Sequence, residues 1–301
     1  MRSGGSAPTD RHHPLTVITD LIRLDGRTLV VTGAGGAIGS TVALALAEAG
    51  AAIVLVEHDA GRLEAVAARL ADAGRDHLAL VADSCDEDDV RQVVRSAAKQ
   101  YGTIDGLMCL VGGVEPDEFG PLLTHGIRTY DDLMNRNLRS AVVAHQVTAE
   151  HLVANGRGGA IVSVSAATAL ASSPYHALYG AAKAALVALT RTEAVEWGPL
   201  GIRVNTVAPG AVETRPAADP DEVARWERAA IPLGRRVQPV EIAAAALFLL
   251  SDLSSAVTGQ TLVLDGGALG KPAFLDADNV PVFVTDPALR ARMRGATIRQ
   301  S

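Results

Sequence analysis

Val30-Val31-Thr32-Gly33-Ala34-Gly35-Gly36-Ala37-Ile38-Gly39 joins an apolar run to a small-residue helical pattern. Thr28–Thr32 reads as a strand and Ala37–Ala49 as a helix, with glycines between them. Glycines let the backbone turn sharply and approach an anion closely. The helix N-terminus then offers free N–H groups and the positive end of its dipole. The spacing is not the dinucleotide fingerprint G-x-G-x-x-G, because Ile38 stands at its last glycine position.

From this turn outward the alternation repeats. Ala52–Glu57, His77–Ala82, Ile104–Val111, Ala160–Ser165, Arg203–Ala208 and Thr261–Leu264 read as strands. Arg62–Asp72, Glu87–Gln100, Tyr130–Ala154, Tyr179–Trp197 and Val240–Leu250 read as helices. Strands alternating with helices predict an α/β fold, a doubly wound parallel sheet in three α/β/α layers. Ile53–Val56 and Leu107–Val111 are continuously apolar, as strands covered on both faces must be. One domain is expected over residues 25–270, after an N-terminal arm (1–24) and before a C-terminal tail (271–301) that drops the pattern. Residues 212–236, rich in Pro, Ala and charge, also break the rhythm and form a candidate lid.

Composition narrows the class. The 301 residues are 48% hydrophobic and 3% aromatic, so the core must be built from Ala, Val, Leu and Ile. Net charge is -7 and no basic stripe is visible, which argues against nucleic acid as a partner. No apolar run reaches the length of a membrane span and the start lacks a signal core, so a cytoplasmic protein with no membrane partner is expected. Cys85 and Cys109 lack disulfide or metal spacing, and no His, Cys and carboxylate set predicts a metal.

Glu57 ends the second strand, 18 residues beyond Gly39. A carboxylate there can accept hydrogen bonds from ribose hydroxyls and repels a 2′-phosphate. The turn, His58 and Asp59 offer no Arg or Lys to welcome that phosphate, which favours NAD; Arg62, a turn later, keeps NADP as the alternative.

Tyr179 and Lys183 stand at i and i+4, and on a helix they share a face. A nearby ammonium favours phenolate and lowers the tyrosine pKa, so the pair can exchange a proton with an alcohol or ketone. Ser165 ends an apolar strand, 13 residues intervening before Tyr179, where a hydroxyl reaches the ligand crevice of an open α/β sheet. Ser163, on the same face but deeper, is the competing serine.

With these residues in place, the chain resembles the short-chain dehydrogenase/reductase family from about Leu24 to Gly267. Thr32, Gly33 and Gly39 match its nucleotide turn, with Ala37 in place of a glycine; Tyr179, Lys183 and Ser165 match its catalytic motif. The resemblance implies a water-holding role for Asn137, with Asn135 the weaker choice, and an adenine-side role for Asp83. It matches Pro209-Gly210 and Leu264–Gly267 to family motifs and assigns Thr214 to the nicotinamide carboxamide. Gly35, Ile38, Ser84, Val111, Gly112 and Val212 complete the implied cofactor contacts.

The resemblance further implies an NAD-dependent oxidoreductase interconverting a secondary alcohol and a ketone, with Tyr179 as acid and base. An NADP-linked carbonyl reductase and a non-catalytic nucleotide binder are the other readings; the complete set Ser165, Tyr179 and Lys183 argues against the last. A homotetramer or homodimer is implied, packed through the helices around 130–154, with His145 and His151, and around 179–197. The tail, with Phe274, Val280, Val282, Phe283 and Val284, is expected to pack on a neighbouring subunit. Tyr175, His176, Trp226 and His125 are candidates for the pocket of the small-molecule substrate. Cys109-Leu110 replaces the family's paired asparagines, so support for the sheet centre must come from elsewhere.

Overall fold

Seven strands alternate with helices along the chain: β1 (Thr28–Thr32), β2 (Ala52–Glu57), β3 (His77–Val81), β4 (Gly106–Cys109), β5 (Gly159–Val164), β6 (Ile202–Pro209) and β7 (Thr261–Leu264). In the computed structural model, which describes residues 17–272 and 275–293, they form one sheet in the order β3-β2-β1-β4-β5-β6-β7. Every pairing is parallel. The fold is Rossmann-like and single-domain, as the alternation predicts.

Side chains alternate across each strand and so divide the core in two. Leu29, Val31, Ile53 and Leu55 face α1 (Ala37–Glu48), α2 (Ala60–Asp72) and α8 (Pro239–Leu250). Val30, Val54, Val56 and Leu107 face α3 (Glu87–Tyr101), α5 (Ser140–Ala154) and the far end of α6 (Ala177–Trp197). Leu24, expected in the N-terminal arm, is instead fully buried and donates its N–H to the Ala49 carbonyl.

The strand order reverses between β1 and β4. Chain connections leave their carboxyl ends in opposite directions, which opens a crevice there. Gly39 packs the first turn of α1 against this point: a Cβ on it would lie 2.1 Å from the Gly33 carbonyl oxygen.

Capping explains where the helices depart from expectation. Asp59 accepts from the Arg62 N–H, so α2 begins two residues before Arg62. The helix expected over 130–154 starts earlier, as α4 (Ile127–Met134), and passes through a π turn at Asn135–Arg139 before α5. The candidate lid contains α7 (Pro220–Ala230), capped by Asp219 with Pro220 at its first position. A Val212–Val237 bridge and an Arg236–Glu227 ion pair close its base.

The tail adds two short helices, α9 (Val282–Thr285) and α10 (Pro287–Met293), while Phe274 lies outside the described residues. Among the described residues no helix is long and apolar enough to cross a membrane.

Candidate active site

The crevice is a cleft of about 920 Å³ lined by Gly33, Glu57, Asp83, Ser84, Val111 and Gly112 among others. Its rim at the β2 end is fixed by Glu57. One carboxylate oxygen accepts from the Gly35 N–H at 3.0 Å, and the other accepts from the His58 N–H at 3.0 Å and lies 2.8 Å from His58 Nδ1. The buried acid therefore ties the glycine turn to the end of β2. Asp83 accepts from the Cys85 N–H at 2.8 Å. Ala37 and Ile38 open α1 beside the turn. Pro209, Gly210, Val212 and Thr214 follow β6 and lie apart from this cleft lining; Gly210 donates to the Leu264 carbonyl and Thr214 to that of Val212.

Gly112 shows what the cleft floor rests on. Its φ is +151°, and a Cβ there would come within 2.7 Å of both Asn137 Oδ1 and Lys183 Nζ. A ligand can thus approach two polar side chains over bare backbone. The glycine turn, the helix end and this cradle fit a dinucleotide.

Asn137 reaches the site because of the π turn. The extra residue in such a turn re-aims side chains, often at functional sites. Asn137 is fully buried, accepts from the Gly113 N–H at 2.8 Å, and donates to the carbonyls of Gly113 and Leu133. Asn135 is exposed at the cleft wall, so of the two expected candidates only Asn137 joins Lys183.

Lys183 is 3% exposed, and its Nζ donates to the Val164 carbonyl at 2.9 Å. It lies 5.8 Å from the Tyr179 ring centroid. Burial pulls the Lys183 ammonium down to about 8, against an opposing pull from Cys109. Burial also pushes the Tyr179 phenol up to about 12. At Tyr179, burial thus opposes the lowering expected from the Lys183 ammonium.

Ser165 is also placed differently from expectation. It is buried, and its hydroxyl donates to the Lys183 carbonyl at 2.9 Å, stitching β5 to α6 rather than facing the crevice. The next residue, Ala166, has no hydroxyl to offer in its stead. Ser163 is buried too, with its oxygen 2.6 Å from His145 Nε2. His145 is fully buried within the fold, in keeping with the structural role expected of it.

Two loops are clasped together at the start of α6. Gly120 donates to the Tyr175 carbonyl at 3.0 Å, and Phe119 meets His176 edge-to-face at 4.3 Å. Tyr175 holds a left-handed φ of +64°, a strained conformation for a bulky residue. Arg136 in the π turn pairs with Glu118 and anchors the first loop. His125 folds onto that loop at Gly120, and Trp226 is half exposed on α7. The sequence reading did not single out Phe119, Glu118 or Arg136; their pairing across 18 residues leaves no periodic signal.

Residues 33–268 match the sequence profile of the family described as Enoyl-(Acyl carrier protein) reductase. The chain is 38% identical over 242 residues to cis-4-hydroxycyclohexanecarboxylate dehydrogenase of Sinomonas cyclohexanicum, covering 80% of this chain and 96% of that enzyme. Among solved structures it resembles a short-chain type dehydrogenase/reductase from Mycobacterium marinum, with 33% identity, a TM-score of 0.78, and 84% and 99% of the two chains covered. It also resembles a gluconate 5-dehydrogenase from Burkholderia cenocepacia in complex with NADP and tartrate, with 34% identity, a TM-score of 0.77, and 84% and 98% covered. The chain belongs to the short-chain dehydrogenase/reductase family, an oxidoreductase family whose members include enzymes acting on alcohols.

Two outcomes follow from this geometry. Ser165→Ala removes a second donor from the Lys183 carbonyl, which keeps its helical N–H, and costs about 1 kcal/mol in a denaturant titration while dinucleotide binding persists. An unchanged midpoint would place the hydroxyl elsewhere. Burial lowers Lys183 from its ordinary 10.5 to about 8 in the folded chain, so between those values the unfolded chain holds the extra proton and stability rises with pH. Lys183→Met should lose that rise in unfolding measured on either side of the window.

Proposed function

We propose that this protein oxidises a secondary alcohol to a ketone, and catalyses the reverse, with NAD and with Tyr179 as general acid and base. The observation that carries the reading is the buried Lys183, held on the Val164 carbonyl beneath the cleft and beside Tyr179. A cation at 3% exposure is costly unless its charge is used.

The residues that would hold the dinucleotide are Gly33, Gly35, Ala37, Ile38 and Gly39 at its pyrophosphate and Glu57 at its adenosine ribose. Asp83 and Ser84 would serve the adenine side, Val111 and Gly112 the floor, and Pro209, Gly210, Val212 and Thr214 the nicotinamide side. When bound, it supplies the hydride acceptor and the positive charge that the phenol lacks in the bare protein. Tyr179 takes the hydroxyl proton, Lys183 steadies the phenolate, and the Asn137 corner leads the proton toward solvent. Ser165 serves the substrate oxygen only after leaving the Lys183 carbonyl.

Glu57 favours NAD, since a carboxylate lining this end of the cleft repels a 2′-phosphate. His58 and Arg62 line the same end of the cleft and support NADP as the second reading. The substrate is a small alcohol or ketone, and the relatives make hydroxy acids the first compounds to screen. A homotetramer or homodimer is part of this reading, supported by exposed Val153 and Val195 on α5 and α6 and by Leu262 and Val263 on β7. The lid at 212–236 and the tail after 270 complete the pocket and the assembly.

Fluorescence titration should show tighter binding of NADH than of NADPH; the reverse order overturns the NAD assignment. Tyr179→Phe should lower kcat about 10³-fold or more while NADH affinity stays near wild type. Retained turnover would remove Tyr179 from its role.

A further inference from the structure

A buried polar group lies next to Lys183, on the side the cleft does not reach. His145 on α5 is fully buried, with Nδ1 2.8 Å from Glu193 Oε2 on α6 and Nε2 2.6 Å from Ser163 Oγ on β5. Cys109 on β4 is the register partner of Ser163, so their side chains share a face of the sheet. Glu193 is 4% exposed.

Such a group is not there for stability alone. Desolvating a charged pair consumes most of what its attraction returns, and apolar residues of like volume commonly serve as well. What it does supply is a fixed geometry. Three consecutive residues at the end of β5 are each anchored: Ser163 by His145, the Val164 carbonyl by Lys183 Nζ, and Ser165 by the Lys183 carbonyl. Helix α6 is therefore tied to β5 at Lys183 and again, through His145, at Glu193. Ten residues separate the two ties, about 15 Å of helix. Two ties at that separation fix both the rotation and the slide of α6, the helix that carries Tyr179.

We propose that His145, gripped by Glu193, is a positioning residue: through Ser163 it holds the end of β5 in the register that seats Lys183 beside Tyr179. This rests on the proton-transfer role proposed for Tyr179. The titratable groups around the corner are Cys109 on β4, His145 on α5, and Tyr179, Lys183 and Glu193 on α6. Buried by this packing, Lys183 is pulled down to about 8, so loosening its seat should let its titration move back up.

The chain has three lysines, Lys99, Lys183 and Lys271, so labelling lysine side chains with 13C at Cε gives three NMR signals; Lys183→Met assigns the relevant one. No substrate is needed, so this result stands apart from success or failure in finding one. In wild type, the Lys183 signal should titrate well below the ordinary lysine value of 10.5. Ser163→Ala, which removes only the link from His145 to the strand, should raise that midpoint by about one pH unit. Ser163→Thr, which keeps a hydroxyl, should return it toward wild type. His145→Leu with Glu193→Leu should raise it too, with the melting temperature held at or above wild type. A folded Ser163→Ala or double variant with the wild-type midpoint would overturn the proposal and leave the group a purely structural role. A wild-type Lys183 that titrates at the ordinary lysine value of 10.5 would overturn it as well.

Discussion

The seat of Lys183 is the constraint on which this molecule turns. The Lys183 ammonium, 3% exposed, donates to the Val164 carbonyl at the end of the fifth strand. For that bond to exist, β5 must stop where it does, α6 must lie in one register across it, and Gly112 must lack a side chain. Each condition is met by a separate piece of the sequence. The parallel sheet places β5 beside β4 and β6; Ser165 fastens the carbonyl of Lys183 itself; the π turn swings Asn137 to the same corner. The cleft floor is thus thin backbone over a charged side chain, a surface suited to a ligand that brings its own charge.

The energetics of this corner run against stability and toward specificity. Burial lowers the ammonium of Lys183 and raises the phenol of Tyr179, so each is pushed toward its neutral form. Two groups held away from their ordinary titration range in one crevice are the mark of a site rather than of a core. The polar cluster of Glu193, His145 and Ser163 beside them answers the question raised by Cys109-Leu110: where the family's asparagines would support the sheet centre, this chain carries hydrogen bonds between α5, α6 and β5. At the start of α6, the left-handed Tyr175 and the Phe119–His176 contact hold two loops together.

Much of this was legible in the chain. Thr28–Thr32, Ala52–Glu57 and Thr261–Leu264 are strands over the very residues expected, because short apolar runs bounded by Gly, Pro and polar residues have few other uses in a parallel sheet. The glycine turn and the Tyr179–Lys183 face needed only local geometry. Four features were not legible. Helix α7 fully buries none of its residues, and its apolar stripe of Val223, Trp226 and Ala230 is too short to stand out beside the Asp219-Pro220 cap. The π turn shifts Asn137 relative to an ideal helix, which periodicity cannot show. The direction of the Ser165 hydroxyl and the meeting of His145 with Glu193 depend on tertiary packing of residues 18 and 48 positions apart.

The central claim is that hydride and proton leave one carbinol by separate routes, the hydride into the dinucleotide and the proton through Tyr179. An alcohol substrate carrying deuterium at the carbinol carbon tests this directly. Turnover with NAD should place the deuterium on the reduced nicotinamide, read by NMR or mass spectrometry of the product dinucleotide. Deuterium recovered in water, with none on the dinucleotide, would contradict it.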